Sequence, residues 1–171
     1  MNAQVALLMG SYSDAKRLEP ALEIFKEFGV ACEVRVMSAH RTPQLVADFV
    51  RDAEGKGIQV ILAAAGAAAH LAGAVAAWTI LPVVGIPIGG TELNGLDSLL
   101  SMVQMPAGIP VATVAVGGGG PANAALLAIQ ILARQNPTLA DMLRSYRRQM
   151  TNKVLERDTV LRQKLADGAA L

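Results

Sequence analysis

Between Gly57 and Ala133 only Glu92 and Asp97 carry a charge, and no other feature of the chain narrows its fold so far. A stretch of that length cannot all face water, because contiguous apolar surface is driven together. The uncharged run from Val60 to Gly90 is long enough to raise a membrane-spanning alternative. Its alanines and glycines, the interrupting Pro82 and Pro87, and His70, which would be costly at mid-bilayer, favour instead a strand, a helix and a strand buried on every side. Such burial needs packed layers or sister subunits. With 17% charged and 53% hydrophobic residues in 171, little polar surface remains to coat a monomer, so the sequence predicts a homo-oligomer with large apolar contacts.

Composition narrows function as well. Fifteen basic and 14 acidic side chains leave a formal charge of +1, which gives no attraction to a polyanion. One Trp, two Tyr and three Phe are too few for base-stacking platforms. Nucleic acid is therefore not an expected partner. The single cysteine, Cys32, can form neither an internal disulfide nor a multi-thiolate metal site. The opening MNAQVALLMGSYSD has no basic region ahead of its apolar run, so the expected location is cytoplasmic, without a membrane. The length suits one domain over residues 1–171. Within it we expect a core over 4–136, a C-terminal helix over 137–165 and a frayed tail over 166–171.

Gln4–Gly10 reads as a strand and Ser13–Phe28 as a helix with Leu18, Leu22, Phe25 and Phe28 on one side. Ala31–Ser38 alternates as a second strand, and Thr42 as N-cap with Pro43 at the first helical position opens a helix through Ala53. The unit then repeats. Ile58–Ala65 is strand three and Ala69–Trp78 a helix; Val83–Ile88 is strand four and Asp97–Val103 a short helix. Val111–Val116 is strand five, and Gly117–Gly120 with Pro121 opens a helix to Arg134. Pro137–Leu165 is a long charged helix with Leu139, Met142, Leu143, Tyr146 and Met150 on one face. Five apolar strands alternating with helices predict an α/β fold: a three-layer, flavodoxin-like, doubly wound five-stranded parallel sheet, with an extra long C-terminal helix.

In such a sheet ligands sit outside the carboxyl ends of the strands, so the strand-to-helix loops carry the chemistry. Gly10-Ser11-Tyr12-Ser13-Asp14 offers two hydroxyls and backbone N–H groups at a helix start, which suits a phosphate; the alternative is that Ser13 or Asp14 only caps the helix. It matches neither dinucleotide nor triphosphate signatures. Ser38-Ala39-His40-Arg41-Thr42-Pro43 pairs a guanidinium, whose fork of donors fits phosphate, with a histidine able to exchange protons near neutral pH; both could equally be structural. Gly66-Ala67-Ala68-Ala69-His70 lets a flat ligand approach the backbone closely, or simply packs a helix on the sheet with His70 bonded to a carbonyl. The Gly117–Gly120 run is either an anion nest or a sharp turn. Two histidines and one cysteine make no recognisable metal-ligand spacing.

Taken together, Gly10–Asp14, Ser38–Pro43, Ala69-His70-Leu71, Gly95–Pro106 with Gly108–Val111, and Asn123–Ala128 resemble the class I PurE family, the N5-carboxyaminoimidazole ribonucleotide mutases of purine biosynthesis. The resemblance spans roughly residues 4–150 in unbroken order. It implies a homo-octamer with active sites at subunit contacts and no metal, nucleotide cofactor or ATP. The reaction would move a carboxylate from the exocyclic nitrogen of the ribonucleotide to ring carbon 4. By the matching motifs, His40 would transfer the proton. Ser11 and Asp14 would bind the ribose-phosphate end, Ser13, Ser38 and Arg41 would complete the phosphate pocket, and Gly66 and His70 would line the site.

This chain departs from that pattern where Ala64 and Ala67 stand for glycines and Ala72 for a proline. If the backbone at Ala67 needs a positive φ, alanine there is strained or the loop shifts. Two other readings stay open at this point: a flavodoxin-like binding module or inactive oligomer for a phosphorylated ligand, and a class II carboxylase acting on free carbon dioxide and aminoimidazole ribonucleotide. The loops lack the acidic pair and phosphoacceptor aspartate of a receiver domain, and only Tyr12 could stack on a flavin.

Overall fold

A computed structural model describes residues 2–168. Five parallel strands, β1 (Val5–Met9), β2 (Cys32–Val36), β3 (Val60–Gly66), β4 (Val83–Ile88) and β5 (Ala112–Thr113), form one sheet in the order β2-β1-β3-β4-β5. Between them run α1 (Ala15–Glu27), α2 (Pro43–Ala53), α3 (Leu71–Ala76) and α4 (Leu96–Val103), followed by α5 (Gly119–Leu132) and α6 (Pro137–Ala166). This is the flavodoxin-like order, in which the chain reverses direction across the sheet between β1 and β3.

Every residue of β1 and β4, and β3 as far as Ala65, is buried, as continuous Val, Leu, Ile and Ala runs require when helices cover both faces. On one face Ala6, Leu8, Ile61 and Ala63 pack with Met37, Val46, Phe49, Val50, Leu71, Val75 and Met102. On the other, α5 lies on β3 and β4 and packs against α1. The register aligns Met9 with Val36 on one side and Ala64 on the other, so the loops after β1, β2 and β3 emerge side by side.

Several expected boundaries shift. The predicted helix over Ala69–Trp78 shortens to α3, because the chain first makes a tight turn closed by the His70 N–H to the Ala68 carbonyl at 2.9 Å. Beyond it Trp78 and Ile80 are 48% and 91% exposed in the single chain, so layer packing alone does not bury the whole Val60–Gly90 stretch. Strand five pairs only at Ala112 and Thr113, with one more bond from Val114 N–H to Gly85 O at 3.1 Å. The start of α5 then folds tightly back on the strand end: a Cβ on Gly120 would lie 2.1 Å from the Ala115 carbonyl oxygen. The glycine run therefore serves as the sharp turn, with Gly117 at φ +99°.

Contacts divide the chain into two compact units with the boundary between Leu132 and Ala133. The second holds α6, whose start is capped by Asn136 Oδ1 accepting from Leu139 N–H at 3.2 Å. At the start of the tail expected to fray, Ala166 ends the helix, Asp167 is its C-cap, and Gly168 has φ +83°. The rest of that tail lies outside the described residues. Among the described residues no helix is long and apolar enough to cross a membrane.

Candidate active site

The loop after β1 begins the site. Ser11 is the N-cap of a 3-10 turn over Tyr12–Asp14, its Oγ accepting from Ser13 N–H at 3.3 Å and from the Ser13 hydroxyl at 2.8 Å. Asp14, at the N-cap of α1, makes no side-chain capping bond. Simple capping by Ser13 or Asp14 is thus not what these residues do, and the Asp14 carboxyl is left to face the cavity described below. Burial pushes that carboxyl above the ordinary aspartate range, partly offset by the Arg17 charge and the Ser13 hydroxyl.

The loop after β2 folds around Ser38. Its Oγ accepts from the N–H groups of His40 (3.3 Å) and Arg41 (3.2 Å), while Thr42 Oγ1 accepts from Ser38 N–H at 2.9 Å and donates to Ser38 O at 3.2 Å. Thr42 occupies the N-cap of α2 as expected, but its hydroxyl makes no capping bond there. It is spent on closing the loop. Two side chains then reach sideways along the sheet. Arg41 Nη2 donates to Gly10 O at 2.9 Å, and His40 Nε2 lies 2.8 Å from His70 Nδ1 with the rings edge-on at 83°. One of these two nitrogens must carry the shared proton.

The loop after β3 supplies the remaining wall. A Cβ on Gly66 would lie 3.3 Å from Ile88 O, which accounts for a glycine at that strand end. Ala67 has φ +52°, the left-handed region that the sequence comparison flagged, and a non-glycine residue there costs roughly 1–2 kcal/mol. Ala64 and Ala72, the other departures, are fully buried and outside that region.

The three loops enclose a cavity of about 440 Å³. Its polar lining is Ser11, Asp14, Ser38, His40 and Arg41; its apolar lining includes Ala65, Gly66, Ala67, Ala68 and Leu71. Of the expected site residues, Ser13 and His70 are not part of this lining but are bonded to two residues that are, Ser11 and His40. The Gly10 carbonyl as an arginine anchor and Leu71 as wall are roles that residue type alone does not signal. A larger cavity of about 890 Å³ lies at the other end of the sheet, by Trp78, Ile80, Ile109 and Pro110, and holds no cluster of proton-transfer groups. Among the described residues no group of three His, Cys, Asp or Glu side chains could hold a metal ion.

The fold and the site together define a flavodoxin-like protein with a pocket at its topological switch point that is lined by an arginine, a histidine and serine hydroxyls. Residues 4–153 match the model of the AIR carboxylase family, and the chain belongs to that family. It is 54% identical over 152 residues to the N5-carboxyaminoimidazole ribonucleotide mutase of Saccharolobus solfataricus, covering 89% of this chain and 95% of that one. It is 51% identical over 154 residues to the same-named protein of Escherichia coli K12, covering 90% and 91%. A crystal structure of Treponema denticola PurE superposes with a TM-score of 0.84 at 31% identity, covering 92% of this chain and 97% of that one.

Proposed function

We propose that this chain is an N5-carboxyaminoimidazole ribonucleotide mutase of purine biosynthesis, an isomerase acting in the cavity between the β1, β2 and β3 loops. The mutase activity is carried by the identity of about 50% to relatives of that name over most of the chain. The observation that supports the site is the convergence of Ser11, Asp14, Ser38, His40 and Arg41 on one cavity at the switch point.

In this reading Arg41, held by Gly10 O, and the Ser11, Ser13 and Ser38 hydroxyls bind the phosphate, and Asp14 accepts from ribose hydroxyls. The two carboxylate positions are too far apart for direct transfer, so carbon dioxide is released and recaptured. The C–N bond breaks and the exocyclic nitrogen takes a proton from His40. Carbon 4 then attacks carbon dioxide, and His40 recovers the proton that carbon 4 loses. One imidazole thus serves as acid and then base. Ala65, Ala67 and Ala68 offer no polar group to hydrate the gas.

His40, Arg41 and His70 are solvent-exposed in a single chain, so a neighbouring subunit is needed to close the pocket. That need, the exposed Trp78 and Ile80 and the charge-poor centre support a homo-octamer of single-domain subunits acting in the cytoplasm. The experiment is to supply the N5-carboxylated substrate in bicarbonate-free buffer, follow product absorbance, and measure mass by light scattering. Product without added ATP or metal, from an octamer, is expected. Inert N5-carboxylated substrate alongside carboxylation of aminoimidazole ribonucleotide by bicarbonate would overturn the mutase reading, and full activity in a monomer would overturn the assembly.

A further inference from the structure

Arg17 lies outside every motif that marks the site, yet it joins the helix that follows one of the site's loops to the turn after β4. It sits on α1, one turn past Asp14, and its Nη1 donates to Gly89 O, at the end of β4. The next residue, Gly90, has φ +97°, and a Cβ there would lie 2.6 Å from Arg17 Nη2. The backbone of this turn therefore leaves the guanidinium its space. A long cation is held by a carbonyl of the β4 turn on the same helix end that presents the Asp14 carboxyl. Arginine is suited to this because its fork can bond a carbonyl while its delocalised charge still acts on a neighbour.

We propose that Arg17 is a positioning residue of the substrate site, tying the Gly10–Asp14 loop to the turn after β4 and keeping a fixed cation beside the Asp14 carboxylate. Its bearing on catalysis rests on the mutase reading of Asp14. Asp14 serves the ribose best when ionised, with both oxygens as strong acceptors, and desolvation works against that state while Arg17 works for it. The other charged or titratable groups around the carboxyl are His40 and Arg41, which line the same cavity, and Lys16 on its own helix. None of these is bonded to Arg17, whose guanidinium donates to Gly89 O, so the change in Asp14 can be read separately.

The test uses the full-length enzyme with Arg17→Gln and Arg17→Lys. The ligand-free proteins are titrated by 13C-carboxyl NMR, with the Asp14 signal identified from Asp14→Asn, and KM is measured between pH 8 and pH 5.5. In Arg17→Gln the Asp14 midpoint should move upward. The KM ratio between pH 5.5 and pH 8 should grow roughly two- to fivefold beyond that of the unsubstituted enzyme, with kcat moving far less. Arg17→Lys keeps the charge and should restore most of both. An unmoved midpoint, or a lysine variant as deficient as the glutamine one, overturns the proposal. A moved midpoint with an unmoved KM removes Arg17 from the substrate site. A wild-type chain that does not turn over the substrate defeats the mutase reading instead, and the NMR arm alone then decides the Arg17–Asp14 coupling.

Discussion

The two walls of the cavity are built on opposite principles. The β1 and β2 loops form a polar wall whose side chains are cross-bonded: Ser38 holds His40 and Arg41, Thr42 clamps Ser38, and Arg41 reaches Gly10. The β3 loop forms an apolar wall of Ala65, Gly66, Ala67 and Ala68 that makes few bonds and carries a strained residue. The first wall fixes charges in position, where an error of an ångström would be costly. The second shapes empty space, where what counts is the absence of polar groups. Substitutions in the first should therefore show in binding and turnover, and those in the second in stability.

The largest effect is expected at the junction of the walls. His40→Asn should fold and still bind product, yet lose roughly 10²- to 10⁴-fold in kcat, the range for a general acid–base group. Comparable turnover would remove His40 from the proton-transfer role. Within the polar wall, Arg41→Ala should weaken product binding by about 1.5–3 kcal/mol, read by calorimetry; an unchanged affinity would move the phosphate elsewhere. On the apolar wall, Ala67→Gly relieves the left-handed strain at the expense of unfolded-chain entropy. The net should be a gain of about 0.5–1 kcal/mol in urea unfolding, whereas a loss would show that the Ala67 methyl packs to greater benefit than its backbone costs.

The smallest and most diagnostic effect is on stability at Asp14, because it belongs to the polar wall but is partly desolvated. Its folded pKa is raised by burial, so the ionised carboxylate costs the folded state stability at neutral pH. That cost is relieved as pH falls through the raised value and is gone below the ordinary value of 3.8. Asp14→Asn should thus be slightly more stable than the unsubstituted chain at pH 7, with the gap closing toward pH 4, while substrate binding is lost. A gap independent of pH would contradict this assignment. By contrast Cys32, whose thiol burial pushes up to about 12, stays protonated and plays no part in either wall.

Legibility in the sequence follows the same division. The cores of β1, β3 and β4 were readable because apolar runs without alternation leave few other structures, and the loops to inspect followed from the parallel order. Strand β5 and helix α3 came out shorter than their apolar runs. At the sheet edge and beside a glycine run, where a strand stops is decided by how closely the next helix folds back on its end, and propensity does not contain that. The polar types of the site were visible one loop at a time. The bond between His40 and His70, 30 positions apart, was not, since it depends on the register of strands that sequence spacing does not reveal. Thr42 shows the converse: the right residue at an N-cap, with its hydroxyl used for something else. Arg17 left no signal at all, because an arginine on an amphipathic helix reads as solvated charge.

In the proposed mechanism one cavity both grips the ribonucleotide and retains carbon dioxide between release and recapture. The most direct measurement converts unlabelled N5-carboxyaminoimidazole ribonucleotide in buffer containing 13C-bicarbonate and reads the product's C4-carboxylate by mass spectrometry within the first turnovers. Retention predicts a product that keeps the substrate's own carboxylate and gains almost no label. Label equilibrated with the buffer pool would show that carbon dioxide leaves the site, and would replace a mutase acting in a closed pocket with a carboxylase drawing on solution.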